Sequence, residues 1–209
     1  MEETSLEQKV KSEITRTKIL AAAETAFVEK GFAAANVDQI AQNAGVNKRM
    51  VYAHFGNKEG LYKHVLQVVY ARRAEYEKQL ERMDFDSPDC IRRAITMYFD
   101  FLMKNENFVR LLLWENLEYA KHIDKEEENF WSGIEVLLKK GRKHGLVRAD
   151  IDIKQTALSC NMFCFSAFSN LHTLSKILAQ DLTSEESLCA RREHIADVLV
   201  RFITNESNF

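Results

Sequence analysis

Between Asn36 and Phe55 the chain has very few ways to fold. Asn36 is a good N-cap, and Gln39 stands three residues on, where a capping box places its reciprocal partner. Ile40, Ala41 and Ala44 give the helix that follows a narrow face of small apolar groups, so a second helix can approach it closely. Gly45 falls at the turn, where a positive φ costs glycine least. Val46 packs under that turn and Asn47 caps the next helix. On this second helix Lys48, Arg49, Met50, Tyr52 and His54 point outward, while Val51 and Phe55 point inward. An apolar underside that fixes the crossing, with long polar side chains left free to enter a major groove, is what a helix-turn-helix requires.

The surrounding residues extend the pattern. Ile19 to Gly31 reads as a preceding helix, with Gly31-Phe32 ending it and Tyr52 to Phe55 followed by Asn57, Lys58 and Glu59. In this order and spacing, the first sixty or so residues resemble the TetR family of bacterial transcriptional regulators. Two positions depart from that family's habit. Asn36 stands where Thr is usual, with capping preserved, and Arg49-Met50 stand where small residues or Thr are common. The resemblance implies a three-helix DNA-binding domain followed by a helical domain for effector binding and dimerisation. It also implies that Tyr52 and Lys58 grip backbone phosphates.

Composition agrees with an all-α chain: 209 residues contain one proline and seven glycines, and helix formers dominate. The net charge of −2 does not advertise a nucleic-acid partner, but from Val46 to His64 four lysines and arginines face a single Glu59. No basic-then-apolar leader and no apolar run of membrane-spanning length is visible, so the expected location is the cytoplasm. Cys90, Cys160, Cys164 and Cys189 are then expected as free thiols.

Domains are expected at 1–57 (with a flexible arm over about 1–12) and 58–209. A first helix spans about Ile14 to Lys30, and a long helix capped by Asn57 starts near Lys58 and leads from one domain into the next. Met83 to Pro88 reads as a linker, with Ser87-Pro88 opening a helix to Lys104, and another helix runs through Phe108 to Tyr119. The next is punctuated by Asp124 and Glu126 to Glu128 at its start, carries Phe130 on its apolar stripe, and stops at Gly145. The penultimate helix, about Ile153 to Gln180, is apolar on nearly every face from Ala157 to Leu171, so it must be buried on two sides. The last opens at a capping box of Thr183 with Glu186. These two helices look like the dimer-forming pair of the family, and a binder of palindromic DNA needs a two-fold axis.

The expected DNA contacts are Asn36 and Val37 at the start of one helix, then Asn47, Lys48, Arg49, Met50, Tyr52, His54 and Lys58. Arg49 is the first choice for base reading, since a guanidinium can fork onto guanine O6 and N7. An effector cavity, which the resemblance implies, would draw on Met97, Phe101, Trp114, Glu115, Glu118, Trp131, Phe163 and Phe168; an aromatic wall beside a carboxylate suits a cation. Plain core packing and a solvated acidic edge account for the same residues. No cofactor or metal is expected: Cys160 and Cys164 stand four apart without a matching His or carboxylate and read as packing groups. No phosphate loop, nucleophile elbow or paired metal-spaced histidines point to catalysis. The partners expected are duplex DNA, a second copy of the chain through the last two helices, and an unidentified small molecule. The alternatives are a dimeric ligand binder of the same fold without DNA function, or an enzyme.

Overall fold

A computed structural model describes residues 2–83, 89–123 and 132–204, with side chains from Leu6 onward except that of Ser132. Among these residues there are ten helices: α1 (Glu2–Ala34), α2 (Val37–Asn43), α3 (Lys48–Phe55), α4 (Lys58–Glu81), α5 (Asp89–Lys104), α6 (Glu106–Leu117), α7 (Ser132–Lys143), α8 (Ile153–Ser169), α9 (Leu171–Leu178) and α10 (Glu185–Ile203). The expectations for Ser87-Pro88, for Asp124 with Glu126 to Glu128, and for Phe130 and Trp131 lie outside the described residues. No described helix is long and apolar enough to cross a membrane.

Packing divides the chain into two units, Met1–Ala71 with Arg110–Asp124, and Arg72–Val109 with Lys125–Phe209. The division does not follow the sequence order: the first part of α4 and most of α6 belong to the first unit. Its core buries Ile19, Phe27, Ile40, Val51, Leu61 and Leu111, residues recurring at helical spacing within α1 and drawn from four further helices. The backbone of the expected arm is helical and continuous with α1, since it lacks Gly or Pro to interrupt it. Leu6, Val10 and Ile14 along it are exposed. The break in α1 comes at Gly31, whose φ of 69° and ψ of 175° only glycine adopts readily.

In the second unit α5 packs against α8 and α10, and α7 against α8. Ile91, Ile95 and Leu102 of α5, Leu138 of α7, Cys164 of α8 and Leu199 of α10 are buried there. Arg92 joins α5 to α10 through Glu193 (3.3 Å) and Asp197, and Arg192 returns to Asp100 (2.9 Å).

Besides the early start of α1, three helix boundaries differ from expectation. The penultimate helix does not run to Gln180; it breaks at Asn170 (φ −114°, ψ 7°) into α8 and α9. Short polar residues compete with helical backbone bonding, and Asn170 Nδ2 donates to Ser169 Oγ at 2.9 Å. The cap of α10 is Ser184, whose Oγ accepts from Ser187 N; Thr183 instead turns back onto Asp181 through both its N–H and its hydroxyl. Finally, α6 ends at Leu117, two residues early, because Tyr119 and Ala120 take left-handed conformations (φ 59° and 55°).

Candidate nucleic-acid interface

α2, the turn and α3 are held by local hydrogen bonds from the expected residues. Asn36 Oδ1 accepts from Asp38 N (2.7 Å) and Gln39 N (3.4 Å). The reciprocal half of the capping box does not close, because the Gln39 amide donates along its own helix to Gln42 and Asn43. Gly45 takes φ 69°, Val46 N donates to Ala41 O, and Asn47 Oδ1 accepts from Met50 N at 2.9 Å. Val51 and Phe55 are buried beneath, and the Arg16 guanidinium lies 5.5 Å from the Phe55 ring centroid. The outer face of α3 is thereby fixed by its underside.

Lys48, Arg49, Met50 and Tyr52 are exposed on that face. Lys48 Nζ pairs with Asp38 at 2.9 Å, which raises its pKa by hydrogen bond and charge, and it hovers 5.9 Å from the Tyr52 ring. His54 is half-buried beside Phe55, ring centroids 6.0 Å apart. Val37 corrects an expectation: its side chain is in the core, so what it can offer DNA is the backbone at the start of α2. Lys58 opens α4, donates to Ala33 O at 3.0 Å and stands 5.0 Å from the Phe32 ring centroid. Partial burial lowers its pKa.

Behind this face lies a polar cluster that sequence reasoning did not find. Glu115 is 1 % exposed; its Oε1 accepts from Tyr62 Oη (2.8 Å) and meets His122 Nδ1 (2.9 Å), and its Oε2 accepts from His122 N (3.2 Å). The His122 ring packs on Phe32 and Tyr62, with centroids 4.5 and 4.9 Å away. Burial, reinforced by the Glu115 carboxylate, pushes the Tyr62 hydroxyl well above the usual phenol range. One residue before Glu115, Trp114 Nε1 donates to Val28 O at 3.1 Å, and its indole lies so close that a Cβ on Gly31 would sit 2.8 Å from it.

The expected effector residues are divided between the two units. Trp114, Glu115 and Glu118 belong to the first unit, where Glu115 is consumed internally and Glu118 pairs with Lys121. Met97, Phe101, Phe163 and Phe168 belong to the second unit. There Phe101 is buried against Phe108, Phe168 lies 4.8 Å from Phe99, Met97 is half-buried and Phe163 is exposed. A different set (among them Tyr76, Leu80, Tyr98, Ile134, Cys160 and Cys164) encloses a cavity of ≈ 10 Å³, room for about one water molecule. Glu77 on its wall is paired with Arg73 at 2.6 Å. Tyr76 Oη donates to Ala94 O (3.2 Å), whereas the buried Tyr98 Oη makes no hydrogen bond. Burial pushes the Cys160 thiol up to about 12 and raises Cys164 further, so both are protonated packing groups at neutral pH. Among the described residues no three His, Cys, Asp or Glu side chains gather as metal ligands.

The second unit also leaves apolar side chains outside: Leu158, Met162 and Phe163 on α8, Ile177 on α9, Val198 and Phe202 on α10. The all-round apolar helix is thus buried on one side in the single chain and bare on the other.

Comparison with known proteins places this geometry. Residues 19–65 match the family described as bacterial regulatory proteins, tetR family, and residues 88–199 match the tetracyclin repressor-like C-terminal domain. The chain is 34% identical over 194 residues to the HTH-type transcriptional repressor NicS of Pseudomonas putida, covering 90% of this chain and 91% of that protein. Among solved structures, the transcriptional regulator SCO4942 of Streptomyces coelicolor superposes with a TM-score of 0.72 at 25% identity, over 90% of this chain and 98% of that one. FadR of Bacillus subtilis, crystallised with stearoyl-CoA, shares the fold with a TM-score of 0.71 at 18% identity, over 90% and 99% of the two chains.

Proposed function

The chain belongs to the TetR family of bacterial transcriptional regulators and is a DNA-binding regulator; we propose that it is a homodimeric repressor, released from a palindromic operator by a small molecule. The observation that carries this reading is α3, locked from below by Val51 and Phe55 and capped by Asn47, with Arg49 exposed on its outer face. In a major groove Arg49 forks onto a guanine, Tyr52 and Lys58 hold phosphates, and Asn47, Lys48, Met50 and His54 border them.

The bare apolar faces of α8 and α10 support pairing of two copies through these helices, burying residues that water otherwise touches. Two-fold symmetry then sets two copies of α3 about one helical turn of DNA apart, or a multiple of it. For the effector, we favour the second unit's cavity with its unpaired Tyr98 hydroxyl, and a ligand larger than water must open it. Such a ligand acts only through its different affinities for the DNA-fitting and released states. NicS and SCO4942 bear the names of regulators, which supports regulation over catalysis.

Footprinting on operator DNA selected from genomic fragments tests the proposal. Symmetric protection of two half-sites by a dimer is expected; one unsymmetrical half-site, or a monomer at micromolar concentration, overturns it.

A further inference from the structure

The first unit recruits a segment from far along the chain. Residues 110–124 lie within the stretch matched by the C-terminal family domain, yet they pack with Met1–Ala71. The consequence is a second cation at the ring that Lys58 approaches. Lys58 Nζ and Lys121 Nζ stand 5.0 and 5.7 Å from the centroid of one and the same ring, Phe32. Their separation can be no more than those two distances laid end to end, a span comparable with a few phosphate steps along a duplex strand.

Lys121 is not held there by its own side chain. On one side, the left-handed turn at Tyr119 and Ala120 is closed by Ala120 N donating to Glu115 O at 2.7 Å. On the other, His122 is buried against Phe32 and Tyr62 and bound twice by the Glu115 carboxylate. The backbone is pinned on both flanks while the lysine side chain remains 50% exposed. Its present partner, Glu118, is a surface carboxylate on the same segment, and an exposed pair of this kind exchanges readily for a phosphate. Lys58, by contrast, already spends one donor on Ala33 O.

We infer that Lys121 is a phosphate contact of the DNA-binding face, set beside Lys58 by the buried Glu115–His122–Tyr62 cluster. The assignment rests on the DNA-binding reading above. A phosphate contact carries no base information and appears as salt dependence, so its loss weakens all sequences alike.

The test compares the full-length protein with Lys121→Ala and Lys121→Arg, and with Lys154→Ala as a control on an exposed lysine of the second unit. Affinity is measured for an operator duplex and a scrambled duplex of equal length across about 50–200 mM salt. Lys121→Ala is expected to flatten the plot of log affinity against log salt by about 0.9 per protomer on both duplexes, leaving their affinity ratio unchanged. Lys121→Arg and Lys154→Ala are expected to keep the parent slope, and all variants the parent melting temperature. An unchanged slope for Lys121→Ala, a loss confined to the operator, or an equal loss in Lys154→Ala overturns the assignment. If the parent binds neither duplex, the DNA-binding reading itself falls, a result distinct from all of these.

Discussion

The two packing units differ in how one buried tyrosine hydroxyl of each is met, Tyr62 in the first and Tyr98 in the second. In the first, Tyr62, Glu115 and His122 satisfy one another across helices, and each helix start near α3 is closed by an asparagine. In the second, a buried Tyr98 hydroxyl faces a small cavity unpartnered, with thiols and aromatic rings around it. Directional bonds specify one geometry, which suits a surface that must match fixed DNA spacing. Soft, incompletely satisfied packing tolerates rearrangement, which suits a receiver whose occupant must change its shape.

The contrast can be broken at its strongest point. Glu115→Ala removes a buried carboxylate, leaves Tyr62 and His122 without their partner, and is expected to cost about 3–5 kcal/mol in urea unfolding. A loss below about 1 kcal/mol would mean the first unit is no more tightly specified than the second. Gly31→Ala comes next. The new Cβ meets the Trp114 indole and the backbone leaves its allowed region, so a loss of about 2–3 kcal/mol is expected from thermal unfolding. A neutral result would show that the indole and the kink yield together.

In the second unit the sign reverses. Tyr98→Phe removes a hydroxyl with no hydrogen bond and is expected to be neutral or stabilising by about 1 kcal/mol. Destabilisation by more than that would reveal a partner such as a resident water. Lys48→Ala sharpens the comparison from the surface: its ion pair with Asp38 is solvent-exposed, so the unfolding midpoint is expected to stay that of the parent. A lower midpoint would extend the tight region outward to α3 itself.

The same contrast explains what could be read beforehand. Asn36, Gly45 and Asn47 act within four residues of themselves, so the turn, both caps and the inward Val51 and Phe55 were legible from spacing alone. The break at Asn170 was hidden because apolar residues recur on both sides of it, and periodicity cannot see one asparagine bonding its neighbour. Thr183 and Ser184 are both sound caps by type, and Asp181 decides between them. The Tyr62–Glu115 bond joins residues 53 apart, and no local pattern announces it. Hence Glu115 read as a ligand group and Lys121 did not read as anything.

Regulators of this kind invite modular exchange, in which the DNA-reading head of one is grafted onto the receiver of another. A splice near residue 57 or 71 would carry Tyr62 or its surroundings away from Glu115 and His122, which stay behind with the donor's own receiver. The donor head would arrive with Phe32, Gly31 and Val28 facing a foreign α6 in place of Trp114. A chimera that preserves operator choice must therefore transplant two separate pieces of gene, Met1–Ala71 together with Arg110–Asp124. Inherited variation in those two pieces is expected to be linked, because neither is a complete part without the other.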